Sequence, residues 1–171
     1  MSKLFRITLW ILSGIGLIAF LVQTLSTFLI SPLMGLLSLL IAAVLVALVI
    51  YLLQRSPMWA RPARLWALLA FLWGGGVAVS LALISAGPVM QLAIGTGWVD
   101  AMMSWSGAYP EEISKATGVI FVLMSFRQLN RPWHGWTVGA VVGLGFEACE
   151  NILYGAMGAT MHPNSCLLYT S

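Results

Sequence analysis

Leu33–Leu53 reads LMGLLSLLIAAVLVALVIYLL, without one charged side chain. About 20 apolar residues carry a helix across the hydrocarbon core of a bilayer, so this run is a membrane span. Before it, Ser31-Pro32 makes a tight turn, and Ile7–Ile30 is another long apolar run. Lys3 and Arg6 precede that run as they would in a signal peptide. A cleavable apolar region is only about 7–15 residues long, so the run is read as an uncleaved first span. After Leu53, a short basic loop through Arg55, Arg61 and Arg64 leads to a third span over 65–84, which Gly87-Pro88 is expected to end. Two more spans follow, over 111–129 and 136–154. Pro110 suits the first turn of the former. The intervening 87–110 is apolar but interrupted by Gly95, Gly97, Asp100, Ser104 and Gly107. Its Trp98, Trp105 and Tyr109 suit the headgroup region, and the segment is expected to lie in the outer interface. The fold class is therefore all-α: a single polytopic transmembrane helical bundle over 1–171, with about five spans, one interfacial segment and a tail over 155–171.

Composition agrees. Apolar residues make up 60% of the chain and charged residues 8%, against about a quarter charged in a soluble domain. A pI near 9.2 invites a nucleic-acid reading, but the basic residues are spread over several short loops and form no patch in the sequence, so nucleic acid is rejected as a partner. They are instead a topology signal. If the spans alternate, Lys3, Arg6, Arg55, Arg61, Arg64, Arg127 and Arg131 all fall on one side, and Lys115 lies inside the fourth span. The N-terminus and the basic loops are thus expected in the cytoplasm, the lipid bilayer being the surroundings of the rest. Cys149 and Cys166 form no CxxC pair, and Cys149 is read as a small packing residue.

An ionisable group inside a span is costly, about 2.5–3.5 kcal/mol near the centre on insertion scales. Here such groups fall in two short segments. Glu111-Glu112-Ile113-Ser114-Lys115 has the pattern EExxK, with Lys115 at i+4 and i+3 from the two glutamates. Phe146-Glu147-Ala148-Cys149-Glu150-Asn151 has the pattern FExxEN, with Glu147, Glu150 and Asn151 at helical spacing on one face. Gly139 and Gly143 precede Glu147 on that face and suit close helix approach. The span carrying EExxK starts outside, and Glu147 lies about 16 Å along a span that starts inside, at ~1.5 Å per residue. Both motifs reach similar depth in the outer half. Four carboxylates beside one lysine need a cation or shared protons to coexist. Carboxylates alone suit hard cations, whereas zinc would want histidine as well. His134 is expected in the cytoplasmic loop as a solvated residue, and His162 just past the last span. EExxK alone could be ordinary capping charge at the water boundary; FExxEN lies deeper and is harder to explain that way.

Together, in order and on consecutive spans, these motifs resemble those of the PrsW family of intramembrane proteases, which is itself distantly similar to the CAAX-processing and bacteriocin-immunity group. The resemblance is close over about Pro110–Tyr154. It implies an integral protein of a bacterial plasma membrane that hydrolyses a peptide bond in a membrane-anchored protein substrate. It also implies the roles. Glu111 would be the general base activating water, Glu112 and Lys115 would position and tune it, Glu147 and Glu150 would bind water or a divalent metal such as zinc, and Asn151 would donate hydrogen bonds. PrsW-like chains continue into further spans with a histidine motif, so this sequence is expected to be truncated at its C-terminus, and its last residues, Cys166–Ser171, to be foreign. Two other classes stand beside the protease reading. An ion- or proton-coupled transporter or channel would need polar residues along the whole depth, and spans one to three offer almost none. A non-catalytic membrane scaffold would keep its phenotype after Glu111→Ala and Glu147→Ala.

Overall fold

The structure is a computed structural model and describes residues 3–62 and 64–161. Helix α1 runs over Lys3–Ile30 and α2 over Pro32–Arg55. Helix α3 is continuous over Arg64–Gly95, α4 covers Tyr109–Ser125 and α5 covers His134–Met161. Three of these, α1, α2 and α3, are long and apolar enough to cross a membrane. The all-α membrane bundle read from the sequence is therefore the fold.

The helices play different parts in it. Helix α1 turns into α2 across Ser31 alone, with Pro32 at the start of α2, where its missing N–H leaves no bond unmade. Both helices bury little. In the most apolar window of α2 only 11% of residues are buried, against 56% for α3. Helix α3 is thus the centre of the bundle, and the leucine-rich faces of α1 and α2 are left for lipid.

The centre of α3 is a π-helical turn over Trp73–Ala78, WGGGVA, buried throughout. Such turns insert one residue into an α-helix and shift the faces on either side. Here the shift aims three bare backbones at neighbours. A Cβ on Gly74 would strike the Val142 carbonyl of α5, and one on Gly76 would strike the Gly16 carbonyl of α1. Gly145 of α5 returns the contact, facing the Phe71 carbonyl. Lipid tails are as apolar as leucine, so helix association in a bilayer relies on close packing of this kind. The third neighbour, α4, packs on the indole of Trp73. That ring stacks on Phe121 at 5.2 Å, fills the space a Cβ on Gly118 would need, and donates from Nε1 to the Ser114 carbonyl at 3.0 Å.

Gly87-Pro88 does not end the third helix. Proline in a helix interior forfeits one N–H bond and crowds the preceding turn, but membrane helices tolerate this better than exposed backbone in an apolar medium. The helix continues to Gly95 and ends on a Schellman motif. The Trp98 N–H donates to the Ala93 carbonyl (2.9 Å), the Gly97 N–H donates to the Ile94 carbonyl (3.0 Å), and Gly97 takes φ +79°. The 87–110 segment is therefore divided among the last turns of α3, the reversal at 96–98, a 3-10 turn at Val99–Ala101 and a π turn at Ser104–Ala108 that runs into α4.

His134 also departs from expectation. It is not solvated: only 6% of its surface is exposed. The loop folds back so that Nδ1 accepts the Arg131 N–H at 3.1 Å. Burial first, and the Arg131 charge second, hold its pKa below the ordinary 6.5. Below about 6.5 the unfolded chain therefore takes up a proton that the folded chain resists, and stability falls as pH drops through that value toward the lower folded one. Thermal unfolding in detergent between pH 7 and 5 is expected to show this loss. In His134→Asn, which keeps an acceptor but cannot titrate, the slope should be shallower by that histidine's share. An unchanged slope would remove His134 from the account.

Candidate active site

The two carboxylate segments meet between α4 and α5. On α4, Glu111 is half-buried and Glu112 is exposed. Lys115 pairs with Glu112 at 2.6 Å, the one ion pair among the described residues. Of the two spacings open to Lys115, the structure takes i,i+3. The ammonium also sits 4.5 Å from the centroid of the Phe146 ring on α5, a cation–π contact across the helix pair. Phe146 is thus the point at which FExxEN touches EExxK: its buried ring receives the EExxK lysine.

On α5, Glu150 is half-buried and accepts a hydrogen bond from the Tyr154 hydroxyl at 3.2 Å. Glu111, Glu147 and Lys115 all lie close enough for their charges to be felt at its carboxyl. Glu147 and Asn151 are on the exposed edge of the same stripe. EExxK and FExxEN therefore lie side by side, with Glu111 and Glu150 half-buried and Glu112, Glu147 and Asn151 exposed.

The glycines behave differently from the sequence reading. A Cβ on Gly143 would meet nothing within 4 Å, and one on Gly139 only the Val119 side chain at 3.9 Å. Gly145 is the close-approach position. The face of α5 that packs on α3 carries Val138, Val141, Val142 and Cys149, all buried, and Gly145 belongs to that face. Glu147 does not.

Sequence reasoning also passed over a polar relay beside the site. The Cys149 thiol donates to Gln23 Oε1 at 3.0 Å, and Gln23 Nε2 donates to Ser80 Oγ at 3.1 Å. One amide thus ties α5, α1 and α3 together between Glu147 and Glu150. Cys149 is buried, as a packing residue should be, but spans one and three are less apolar inside than expected. The available signal was Gln23 itself, a lone amide in an apolar helix, where polar side chains serve as interhelical links.

His134 takes no part. It starts α5, thirteen residues before Glu147, so about 20 Å away at ~1.5 Å per residue. His162 lies outside the described residues. Among the described residues no three of His, Cys, Asp and Glu are close enough to hold an ion. Glu147 and Glu150 supply two carboxylates from one face of α5, and by themselves they do not complete a metal site.

Residues 62–171 match the family model described as PrsW family intramembrane metalloprotease. The chain belongs to this family. No curated protein and no solved structure matches it. The match takes in α3, α4 and α5, and with them both carboxylate segments and the π turn on which they rest. In this PrsW-family chain, α1 and α2 lie outside the matched region, yet α1 supplies Gln23 to the relay.

Proposed function

We propose that the chain is an intramembrane endopeptidase that hydrolyses a peptide bond in or near the bilayer, in a membrane-anchored protein, using water activated by Glu111. The observation that carries this reading is the contact of the two motifs across α4 and α5, where the Lys115 ammonium, paired with Glu112, sits 4.5 Å from the Phe146 ring with Glu111 and Glu150 half-buried on the two helices. Hydrolysis needs a base, a held water and a stabiliser for the oxyanion. Glu111, half-buried, takes the proton as the water oxygen attacks the carbonyl carbon. Glu150 and Glu147 orient that water, Lys115 and Asn151 face the developing oxyanion, and Glu111 returns its proton to the leaving nitrogen as the C–N bond breaks. The family description implies a divalent metal; Glu147 and Glu150 are the residues of this site that would hold it, and it would polarise the carbonyl. The basic end of the bundle, with the N-terminus, faces the cytoplasm in this reading, and the carboxylates open to the outer side of a bacterial plasma membrane.

The test is cleavage of a library of single-span reporters in membranes. Wild type is expected to cleave a subset, and Glu111→Gln and Glu150→Gln to cleave none of it detectably. Loss on adding a chelator, restored by divalent metal, would support the metal. A library left intact by wild type, or cut equally by both variants, would sink the proposal.

A further inference from the structure

The basic residues, scattered in sequence, gather at one end of the fold around a cleft of about 1000 Å³. Lys3 and Arg6 come from α1, Arg61 and Arg64 from the approach to α3, and Arg127 from the loop after α4. None of its lining residues is acidic. All five carboxylate side chains of the sequence lie elsewhere, at Asp100 and in the two site motifs. Five like charges around one hollow repel each other, and an anion between them relieves the repulsion.

Two further observations separate this cleft from the general excess of cations on one side of a membrane protein. First, Arg55 and Arg131 share the same end but are already engaged. The Arg55 guanidinium lies 4.9 Å from the Tyr51 ring centroid, and that of Arg131 lies 5.1 Å from the Trp133 centroid. The topology signal accounts for their sign and side, but not for five others converging on one cavity. Second, the walls are fixed. Gln128 Nε2 donates to the Pro62 carbonyl, Trp66 Nε1 donates to the Ala60 carbonyl, both at 3.1 Å, and Trp59 packs on Trp66 at 4.7 Å. The lining is also mixed: Trp59, Leu65 and Phe126 give it an apolar side. A free phosphate would use only the cations. A phospholipid uses both, with its phosphodiester among the arginines and its glycerol and upper chains along the rings.

We propose that this cleft is a binding site for the phosphodiester headgroup of an anionic phospholipid. It is independent of the carboxylate site and needs only that the bundle sit in a membrane. Basic pockets between membrane helices hold such headgroups, at about 1 kcal/mol for each cation near the surface.

The test uses the full chain in nanodiscs and a labelled phosphatidylglycerol, with two variants. Arg6→Gln/Arg61→Gln/Arg64→Gln empties the cleft of three cations and is expected to weaken binding about a hundredfold. Arg55→Gln/Arg131→Gln removes cations at the same end but outside the cleft and is expected to change it less than about threefold. Phosphatidylcholine and inorganic phosphate should not displace the label. Equal losses in the two variants would reduce the effect to surface charge and overturn the site. Displacement by inorganic phosphate would overturn the lipid assignment in favour of a soluble anion, and binding without preference over phosphatidylcholine would overturn both. If the glutamine variant does not fold, Arg6→Lys/Arg61→Lys/Arg64→Lys keeps the charge but not the forked geometry. It should then lose about three- to tenfold, and unchanged binding would count against the cleft.

Discussion

Glu111→Gln is expected to slow reporter cleavage by about 10²–10⁴-fold, the usual contribution of a positioned general base, while the protein still folds. The amide has the shape of the carboxylate but cannot take the proton. Glu111 is only half-buried, and the isosteric amide should leave the packing, and so the folding, little changed. The loss belongs in kcat, with KM little changed, because a substrate span would bind through its apolar length. Glu112→Gln is the contrast. That side chain is 71% exposed in its pair with Lys115, and exposed pairs contribute about 0–1 kcal/mol. Its effect should stay within about fivefold. Rates for Glu111→Gln within tenfold of wild type would remove Glu111 as the base, and a larger effect at Glu112 would transfer the role.

The second large effect concerns the scaffold. Gly74→Ala and Gly145→Ala should each destabilise the folded protein by about 3 kcal/mol or more, at or above the top of the usual range for an overpacked core. The obstacle in each is a backbone carbonyl of the neighbouring helix, which cannot rotate away as a side chain does. Activity should fall with the folded fraction. Gly143→Ala supplies the control. Its Cβ would meet open space, and replacing glycine by alanine inside a helix favours the helix by about 1 kcal/mol. Unfolding in detergent, followed by circular dichroism, would separate the two outcomes. A Gly74→Ala protein as stable as wild type would mean that α3 and α5 do not touch as described.

How much of this was open to sequence reading differs by residue. Helices α1 and α2 were legible because uncharged apolar length has few other uses. The carboxylates stood out for the same reason reversed: charge within such length needs a purpose. Pro88 misled because a lost N–H bond does not by itself end a helix in an apolar medium. The importance of Trp73-Gly74-Gly75-Gly76 was invisible, since glycines in an apolar helix carry no mark of what approaches them. Gly139 and Gly143 had the right spacing and the wrong face, which depends on how α5 is rotated against α3. His134 sits among arginines and an asparagine in the sequence, and only the folding back of its own loop buries it. The basic residues looked dispersed because their convergence is a product of helix topology.

The π turn of α3 has one more consequence. Helices α1, α4 and α5 all bear on Trp73–Ala78, so they share a single pivot. Glu111 is three residues from Ser114, which receives the Trp73 indole, and Glu147 is two from Gly145. The carboxylates therefore ride on short lever arms, while the far ends of the same helices ride on long ones. A tilt of these helices about that pivot would swing those ends widely and barely move the glutamates. In the proposed protease, admitting a substrate span and keeping Glu111 and Glu147 aligned would thereby be separate movements within one small bundle.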